Sequence, residues 1–153
     1  MHLSSEVIRR LAGKTLVTAE SCTGGGIGAA LTAVSGGSAV YKGGVISYTN
    51  EVKNQILGVS QEVLDRYGAV SPWVAGEMAS GVRKLLKADI AVSVTGLAGP
   101  GGDDRGNPVG TVYIGYEDAN RASVHHFRFT GDRESVREQA VLAALNLILQ
   151  FNQ

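Results

Sequence analysis

Glycine is the residue that most constrains this chain, because its 21 copies concentrate where predicted strands and helices end. They cluster at 24–26, 36–37, 43–44 and 96–102. Glycine at such points supplies positive φ angles or lets two backbones approach closely, so the clusters indicate an ordered fold with tight turns rather than a flexible linker. At 153 residues the chain is long enough for one sizeable core, and we predict a single domain over residues 1–153.

Charge and cysteine content exclude several classes of protein. The 14 basic and 14 acidic side chains give a formal net charge of zero, so no electrostatic footprint for nucleic acid or an anionic membrane is present. A single cysteine, Cys22, rules out an internal disulfide and a cysteine-rich metal site. No run is apolar over the about 18 residues that a membrane span needs, and the N-terminus does not resemble a secretory signal. We therefore expect a cytoplasmic protein that binds neither nucleic acid nor membrane.

Strand and helix patterns alternate along the chain. The strand-like runs are KTLVTAE, AVYKGGVISYT, DIAVSVTG, VGTVYIGYED and ASVHHFRFTG. Helices are predicted in LSSEVIRRLAG with Ser4 or Ser5 as cap, over Gly24 to Ser35, after a cap at Asn50, in SQEVLDRYG, in SPWVAGEMASGVRKLLKA, and after a cap at Asp132. Gly43 and Gly44 suggest a bulge, and the last two strands should form an antiparallel hairpin. The fold class is α/β: a three-layer α/β/α sandwich with a mixed sheet, parallel at its centre and antiparallel at its edge hairpin.

The stretch TAESCTGGGIGAAL, residues 18–31, joins a predicted strand to a predicted helix through three glycines. Free backbone N–H groups at a helix start can bind an anion, and the same turn can present Ser21 or Cys22 as a nucleophile beside an oxyanion hole. The stretch matches neither G-x-S-x-G, nor a P-loop, nor G-x-G-x-x-G, so the standard nucleotide motifs are weak here. The structural alternative is that Ser21 caps the helix and Cys22 is a small buried side chain, and the residues alone leave both readings open.

A serine nucleophile needs a base nearby, and the candidates are histidine and lysine. His125 and His126 are neighbours in a predicted strand, so their side chains point to opposite faces and at most one could serve. In SYTNEVKNQ, Tyr48 ends the second strand and Lys53 follows near the carboxyl edge of the sheet, where Ser21 is also predicted. Burial would lower the pKa of Lys53 toward the operating pH, whereas the structural alternative is an exposed helix lysine.

The loop TGLAGPGGDDRGNPVG follows the interior strand and borders the same edge of the sheet. Its backbone donors suit a phosphate or a ribose, and so long a loop in a compact domain is usually functional rather than merely mobile. Asp103 and Asp104 could ligate Mg²⁺, but two adjacent carboxylates in a loop are more often solvated, so we assign no metal. Arg133 and Arg137, one turn apart, could supply a cation for an anionic substrate or form surface ion pairs.

Five segments of the chain together resemble one known family: TAESCTGGGIG, GGVISYTNEVKNQILGV, GAVSPWVAGEMA, VTGLAGPGG and NPVGTVYIG. They occur in the right order over nearly the whole length, and in this the chain is similar to the CinA C-terminal domain family. The characterised activity of that family is nicotinamide-nucleotide amidohydrolase (NMN deamidase, PncC). The resemblance implies hydrolysis of the carboxamide of nicotinamide mononucleotide to nicotinic acid mononucleotide and ammonia, in pyridine-nucleotide salvage and without a cofactor.

The resemblance also implies roles for particular residues. Ser21 would be the nucleophile, Lys53 the base, and Tyr48 a hydroxyl that helps to hold or relay the proton. Asn107 stands where many members of the family have the lysine of KPVG, so a phosphate contact there would lose a charge. The nucleotide substrate is expected to contact the first turn, the segment after the second strand, the long loop and the last helix. The residues are Thr23, Gly24, Gly25, Asn50, Thr95, Gly96, Ala98, Gly99 and Arg137, the last chosen over its neighbour Arg133.

Three hypotheses about function stay open at this point. The first is the Ser-Lys amidase, and the second is a nucleotide-binding sensor of the same fold that is catalytically weak or inactive. The third uses the thiol of Cys22 as nucleophile, although the sequence offers it no evident imidazolium partner. A homo-oligomer is expected in each case, because apolar helices and Trp73 on a predicted surface helix supply area for association.

Overall fold

A mixed sheet forms the middle layer of the computed structural model, which describes residues 2–153. Within that range the strands are β1 (Leu16–Glu20), β2 (Tyr41–Ile46), β3 (Ile90–Gly96), β4 (Thr111–Glu117) and β5 (Ala122–Arg128). Their order across the sheet is β2-β1-β3-β4-β5. β1 runs parallel to both β2 and β3, whereas β4 pairs antiparallel with β3 and with β5. The predicted sheet, parallel at its centre with an antiparallel edge hairpin, is confirmed.

Helices cover both faces of the sheet. In residues 2–153 they are α1 (His2–Arg10), α2 (Gly26–Thr32), α3 (Asn50–Gln55), α4 (Gln61–Tyr67), α5 (Pro72–Leu86) and α6 (Arg133–Phe151), with a 3-10 turn at Gly37–Ala39. α1, α2 and α6 pack together on one face, and α5 with α4 covers the other, so the three-layer sandwich is also confirmed. Over the described range, no helix has both the length and the apolar character needed to cross a bilayer.

The strands β1 and β3 lie in the core because helices cover both of their faces. Every residue of β1 is buried, and β3 is buried up to its last residue. β2 alternates between exposed and half-buried positions, as expected of an edge strand. The suggested bulge is present in β2: the pairing shifts from Leu16↔Tyr41 to Val17↔Gly43, and Gly43 has a φ of 151°.

Most helix starts follow the local capping signals. The side chains of Ser60, Ser71 and Asp132 each accept a hydrogen bond from the N–H three residues further on, as predicted. α3 is different, because Thr49 caps it and Asn50 is its first residue; both have suitable side chains, and the extended backbone at Thr49 selects the earlier one. In α1 neither Ser4 nor Ser5 is a cap, since the helix already includes His2.

Candidate active site

A cavity of about 500 Å³ lies at the carboxyl ends of the three parallel strands. The crevice beyond the carboxyl ends of parallel strands is where ligands bind in open α/β sheets. The turn after β1, the segment after β2, the segment between α4 and α5, and the loop after β3 all reach it. Its lining comprises Ser21, Cys22, Tyr48, Asn50, Lys53, Leu64, Gly68, Ala69, Val70, Thr95, Gly96, Leu97, Ala98, Gly99, Gly101, Asp103, Asp104, Arg105 and Arg133.

Ser21 and Lys53 meet at the inner end of this cavity. The Nζ of Lys53 lies 3.0 Å from the Oγ of Ser21 and donates a second hydrogen bond, of 2.7 Å, to the carbonyl oxygen of Ser47. Lys53 is 2 % exposed and Ser21 is 7 % exposed, so water has little access to either group. α3 places the amine there because its cap at Thr49, four residues before Lys53, fixes where the helix begins. The sequence alone could not establish this contact, which joins residues 32 positions apart.

The environment of Lys53 disfavours its charged form. Burial lowers its pKa from an ordinary value of 10.5 to about 8. Within residues 2–153 no aspartate or glutamate forms an ion pair with its amine. An amine with this pKa is partly neutral near physiological pH, and a neutral amine can accept a proton from a hydroxyl.

The backbone of the serine turn is held tightly, and within residues 2–153 the two N–H groups that follow Ser21 stay unused. The Ser21 N–H donates 2.9 Å to the carbonyl of Val94 in β3, and the Gly24 N–H donates 3.0 Å back to the carbonyl of Ser21. Gly24 and Gly25 have φ angles of 58° and 99°, which explains why glycine occupies both positions. In the part of the chain that the structure describes, the N–H groups of Cys22 and Thr23 form no hydrogen bond to another residue. They are therefore available to an oxyanion formed at Ser21.

The anion site predicted at the start of α2 is already filled by the protein itself. The carboxylate of Glu20 accepts 2.8 Å and 2.9 Å hydrogen bonds from the N–H groups of Ile27 and Gly28, so these donors are not free for a ligand. The N–H groups of Ile27 and Gly28 are therefore not available to an external anion at this helix start. The sequence reading missed Glu20, although a carboxylate at the end of an otherwise apolar strand was a usable signal for a buried partner.

Part of the predicted substrate-binding set lines the cavity and part does not. Asn50, Thr95, Gly96, Ala98 and Gly99 line it, whereas Thr23, Gly24, Gly25 and Arg137 are not among the described residues that do. The hydroxyl of Thr23 is turned away and donates 2.7 Å to Glu20. Gly68, Ala69 and Val70 also line the cavity, although the sequence analysis does not predict them as site residues. The only signal in the sequence is Gly68, which ends α4.

The two candidate arginines have different positions. Arg133 lines the cavity and donates 2.7 Å to the carbonyl of Gly99 and 3.1 Å to the hydroxyl of Tyr48. Arg137 lies behind the serine turn and donates to the carbonyls of Cys22 and Thr23, at 3.0 and 3.3 Å. The geometry thus places Arg133, not Arg137, beside the space that a substrate would occupy. Tyr48 is 61 % exposed at the rim of the same space.

The long loop after β3 is ordered by its own side chains. Asp103 accepts hydrogen bonds from the N–H groups of Arg105 and Asn107, which together with the Asn107 side-chain bond lower the pKa of its carboxyl despite the opposing effect of burial. Arg105 donates to the carbonyls of Asp65 and Arg66 at the end of α4. Asn107 therefore braces this loop from within and does not line the cavity among the described residues.

Two other groups of candidate residues are the acidic pair of the long loop, which lines the cavity, and the histidines of the β4–β5 hairpin. Across residues 2–153, no cluster of three histidine, cysteine, aspartate or glutamate side chains could hold a metal ion. His126 stacks on Tyr113, and His125 hydrogen-bonds Ser123, all on the β4–β5 hairpin. Neither histidine is among the described residues that line the cavity.

The fold and this site define a class: an α/β domain with a mixed sheet and a buried serine–lysine pair at the carboxyl edge of its parallel strands. Comparison with known proteins gives the family. The model of the CinA C-terminal domain matches residues 2–152, and the chain belongs to that family.

Solved structures agree closely with this fold. The chain superposes with a TM-score of 0.95 on a CinA superfamily protein from Klebsiella pneumoniae, at 40% identity over 97% of this chain and 94% of that one. A competence/damage inducible protein from Agrobacterium tumefaciens gives a TM-score of 0.96 at 40% identity, covering 99% and 94% of the two chains. A CinA-like protein from Endomicrobium trichonymphae is 47% identical over 88% of this chain but only 32% of its own. The chain spans about a third of the length of the curated relatives it matches.

Proposed function

We propose that this domain is an amidohydrolase in which Ser21 is the nucleophile and Lys53 is the general base. The observation that carries the proposal is the 3.0 Å contact between the buried Lys53 amine and the Ser21 hydroxyl. A serine hydroxyl is inert at neutral pH without a base, and a buried lysine with no carboxylate partner is a suitable one. Ser-Lys pairs of this kind serve acyl transfer on several unrelated folds.

In the proposed reaction Lys53 carries the proton between Ser21, the leaving nitrogen and water. The neutral amine of Lys53 takes the Ser21 proton while Oγ attacks the amide carbon, and the N–H groups of Cys22 and Thr23 hold the oxyanion. The Lys53 ammonium then gives its proton to the departing nitrogen, which leaves as ammonia and yields an acyl-serine. Water, deprotonated by the same amine, hydrolyses that ester and restores both groups. One N–H of the neutral Lys53 amine donates to the carbonyl of Ser47 throughout. This hydrogen bond orients the lone pair of the amine toward Ser21.

The proposed substrate is nicotinamide mononucleotide, by resemblance to the family and by the character of the cavity. Its volume of about 500 Å³ lies within the about 300–1,000 Å³ usual for small-molecule sites. Leu64, Val70 and Leu97 offer an apolar wall for a pyridine ring. The guanidinium of Arg133 offers donors for a phosphate, and its hydrogen bonds to the carbonyl of Gly99 and to the hydroxyl of Tyr48 hold it beside the cavity. We propose for Tyr48 a role in holding the substrate or relaying the proton at this rim.

The thiol alternative is disfavoured by the environment of Cys22. Burial raises the pKa of its thiol to about 11, so the thiolate is scarce at neutral pH. The nearby Lys53 and Arg137 lower that pKa only in part. A serine beside an amine that is partly neutral near this pH is the better nucleophile.

We also propose that the domain works as a homo-oligomer in the cytoplasm and needs no metal or cofactor. Trp73 is 51 % exposed and stacks on Tyr67, with ring centroids 3.8 Å apart, so it presents a flat apolar surface. Aromatic residues in such positions are frequent at protein interfaces.

The test is release of ammonia from purified protein incubated with nicotinamide mononucleotide. Wild type and a Ser5→Ala control, altered at an exposed serine of α1, should release it at the same rate. Ser21→Ala should abolish release while still binding the nucleotide in a calorimeter. Binding without release by wild type would support the sensor hypothesis instead. Loss in Cys22→Ala together with full activity in Ser21→Ala would overturn the proposal in favour of the thiol.

A further inference from the structure

The carboxylate of Glu20, the last residue of β1, is buried at the back of the serine turn and is 2 % exposed. One of its oxygens accepts hydrogen bonds from the Thr23 hydroxyl, at 2.7 Å, and from the Ile27 N–H, at 2.8 Å. The other accepts from the Gly28 N–H, at 2.9 Å, and from the Thr18 hydroxyl, at 3.2 Å. All four partners are donors, which is the set that a carboxylate requires.

These four contacts use the whole accepting capacity of the group. A carboxylate offers about four lone-pair sites, so Glu20 has none left for a substrate or a metal. Among residues 2–153 no arginine or lysine forms an ion pair with it. Burying an anion without a cation costs stability, and natural proteins carry such costs mainly where function needs them. Glu20 is therefore a group that holds the protein's own backbone.

The backbone held in this way is the one that carries Ser21. The Glu20 carbonyl accepts a 2.8 Å hydrogen bond from the N–H of Ser47, whose own carbonyl receives the Lys53 amine. The Glu20 side chain meanwhile reaches forward to the far end of the turn at Ile27 and Gly28. One residue thus ties the strand before Ser21 to the helix after it and connects both to the segment that holds Lys53.

A second layer of contacts supports the carboxylate. The hydroxyl of Tyr41 lies 2.7 Å from the hydroxyl of Thr18, which in turn donates to Glu20. A Cβ added at Gly28 or at Gly44 would lie 2.8 Å from the Tyr41 hydroxyl, so this network occupies the space that those glycines leave. Such packing restricts the carboxylate to one position.

We propose that Glu20 is a positioning residue for the reaction: it fixes the turn so that the Ser21 hydroxyl stays on the Lys53 amine and the Cys22 and Thr23 N–H groups face the developing oxyanion. The inference rests on the proposed Ser-Lys chemistry. Its physical basis is that reacting groups must be held within a fraction of an ångström, and displacement of about 1 Å can cost about 10²-fold in rate. Substrate affinity does not depend on Glu20, because its oxygens are not available to a ligand.

The test is Glu20→Gln, which keeps the shape but places an amide NH₂ against the N–H of one partner. We expect kcat per folded molecule to fall by about 10- to 100-fold with KM changed less than about twofold. The matched control is Glu62→Gln, an exposed glutamate in the first turn of α4, with wild-type kcat. Circular dichroism would give the folded fraction used to normalise each rate. Unchanged kcat per folded molecule would overturn the inference, and so would a rise in KM alone.

A second measurement separates this inference from the choice of substrate. The rate at which a sulfonyl fluoride modifies Ser21, followed by mass spectrometry, reports on the nucleophile without any nucleotide. Modification should slow in Glu20→Gln even if nicotinamide mononucleotide proves not to be the substrate. If Glu20→Gln does not fold, Thr23→Val removes one of the four contacts, and we expect a smaller loss in both assays, of about 3- to 10-fold. Wild-type rates in Thr23→Val would then count against the proposal.

Discussion

Two helices of seven residues, α2 and α4, begin in different ways. α4 starts at a local cap: the Ser60 hydroxyl accepts a 3.3 Å hydrogen bond from the N–H of Val63. α2 starts after Gly25, in the left-handed conformation and with no side-chain cap of its own. Two of its first N–H groups, those of Ile27 and Gly28, donate to Glu20, several residues earlier and on a strand. A local cap only stabilises a helix, whereas a cap from the strand also fixes the turn between them, and that turn carries Ser21.

This difference implies a division of roles. Changes around the α2 turn should lower turnover per folded molecule, and changes at the α4 start should alter stability alone.

The largest expected effect comes from Lys53→Met, which keeps the length of the side chain and removes the amine. Without a base the Ser21 hydroxyl cannot be deprotonated, so kcat should fall by about 10³-fold or more. The measurement is ammonia release under saturating nucleotide, with Lys84→Met, an exposed lysine of α5, as control. Turnover within tenfold of wild type would exclude Lys53 as the base, and the serine turn would then have no catalytic partner to position.

The next effect in size is a dependence of kcat on pH. Because burial lowers the pKa of Lys53 to about 8, the amine is mostly protonated at pH 7 and mostly neutral above pH 9. Only the neutral form accepts the serine proton, so kcat should rise by about tenfold between these values and then level off. Between about pH 8 and 10.5 Lys53 is mostly neutral in the folded chain but mostly protonated in the unfolded chain. The free energy of unfolding should therefore rise with pH over this range. A kcat that falls over this range would point to a different base.

The two helix starts also show what sequence can and cannot predict. The cap and end of α4 were predicted from Ser60 and Gly68, because their signals lie within a few residues of the backbone groups they satisfy. The start of α2 was located from its glycines, but its capping partner was not, because Glu20 acts across the turn through tertiary structure. The sequence therefore predicted the elements, the sheet and the segment carrying Lys53.

The reliance on tertiary structure also explains why the sequence does not decide which arginine lines the cavity. Arg133 and Arg137 lie one turn apart, and sequence could not tell which faces the cavity, since that depends on where the loop after β3 folds. The structure places Arg133 against the carbonyl of Gly99 in that loop and Arg137 against the serine turn. Arg133 and Gly99 lie 34 residues apart, and Arg137 and Cys22 lie 115 apart. Pairs at such separations leave no periodic signal, and only the folded chain reveals them.

The smallest change is predicted at the start of α4, where Ser60 is a local cap. Ser60→Ala removes the hydroxyl that accepts from the Val63 N–H and should lower the free energy of unfolding by about 1 kcal/mol. Urea denaturation measures this change, and Ser60→Asp, which keeps a capping oxygen, should recover most of it. Because one hydrogen bond of this kind only sets how often the first turn frays, kcat per folded molecule should stay at the wild-type value. Leu64 of α4 lines the cavity, so a fall in kcat of several-fold would show that this helix start also positions the site, and the division between the two helices would fail.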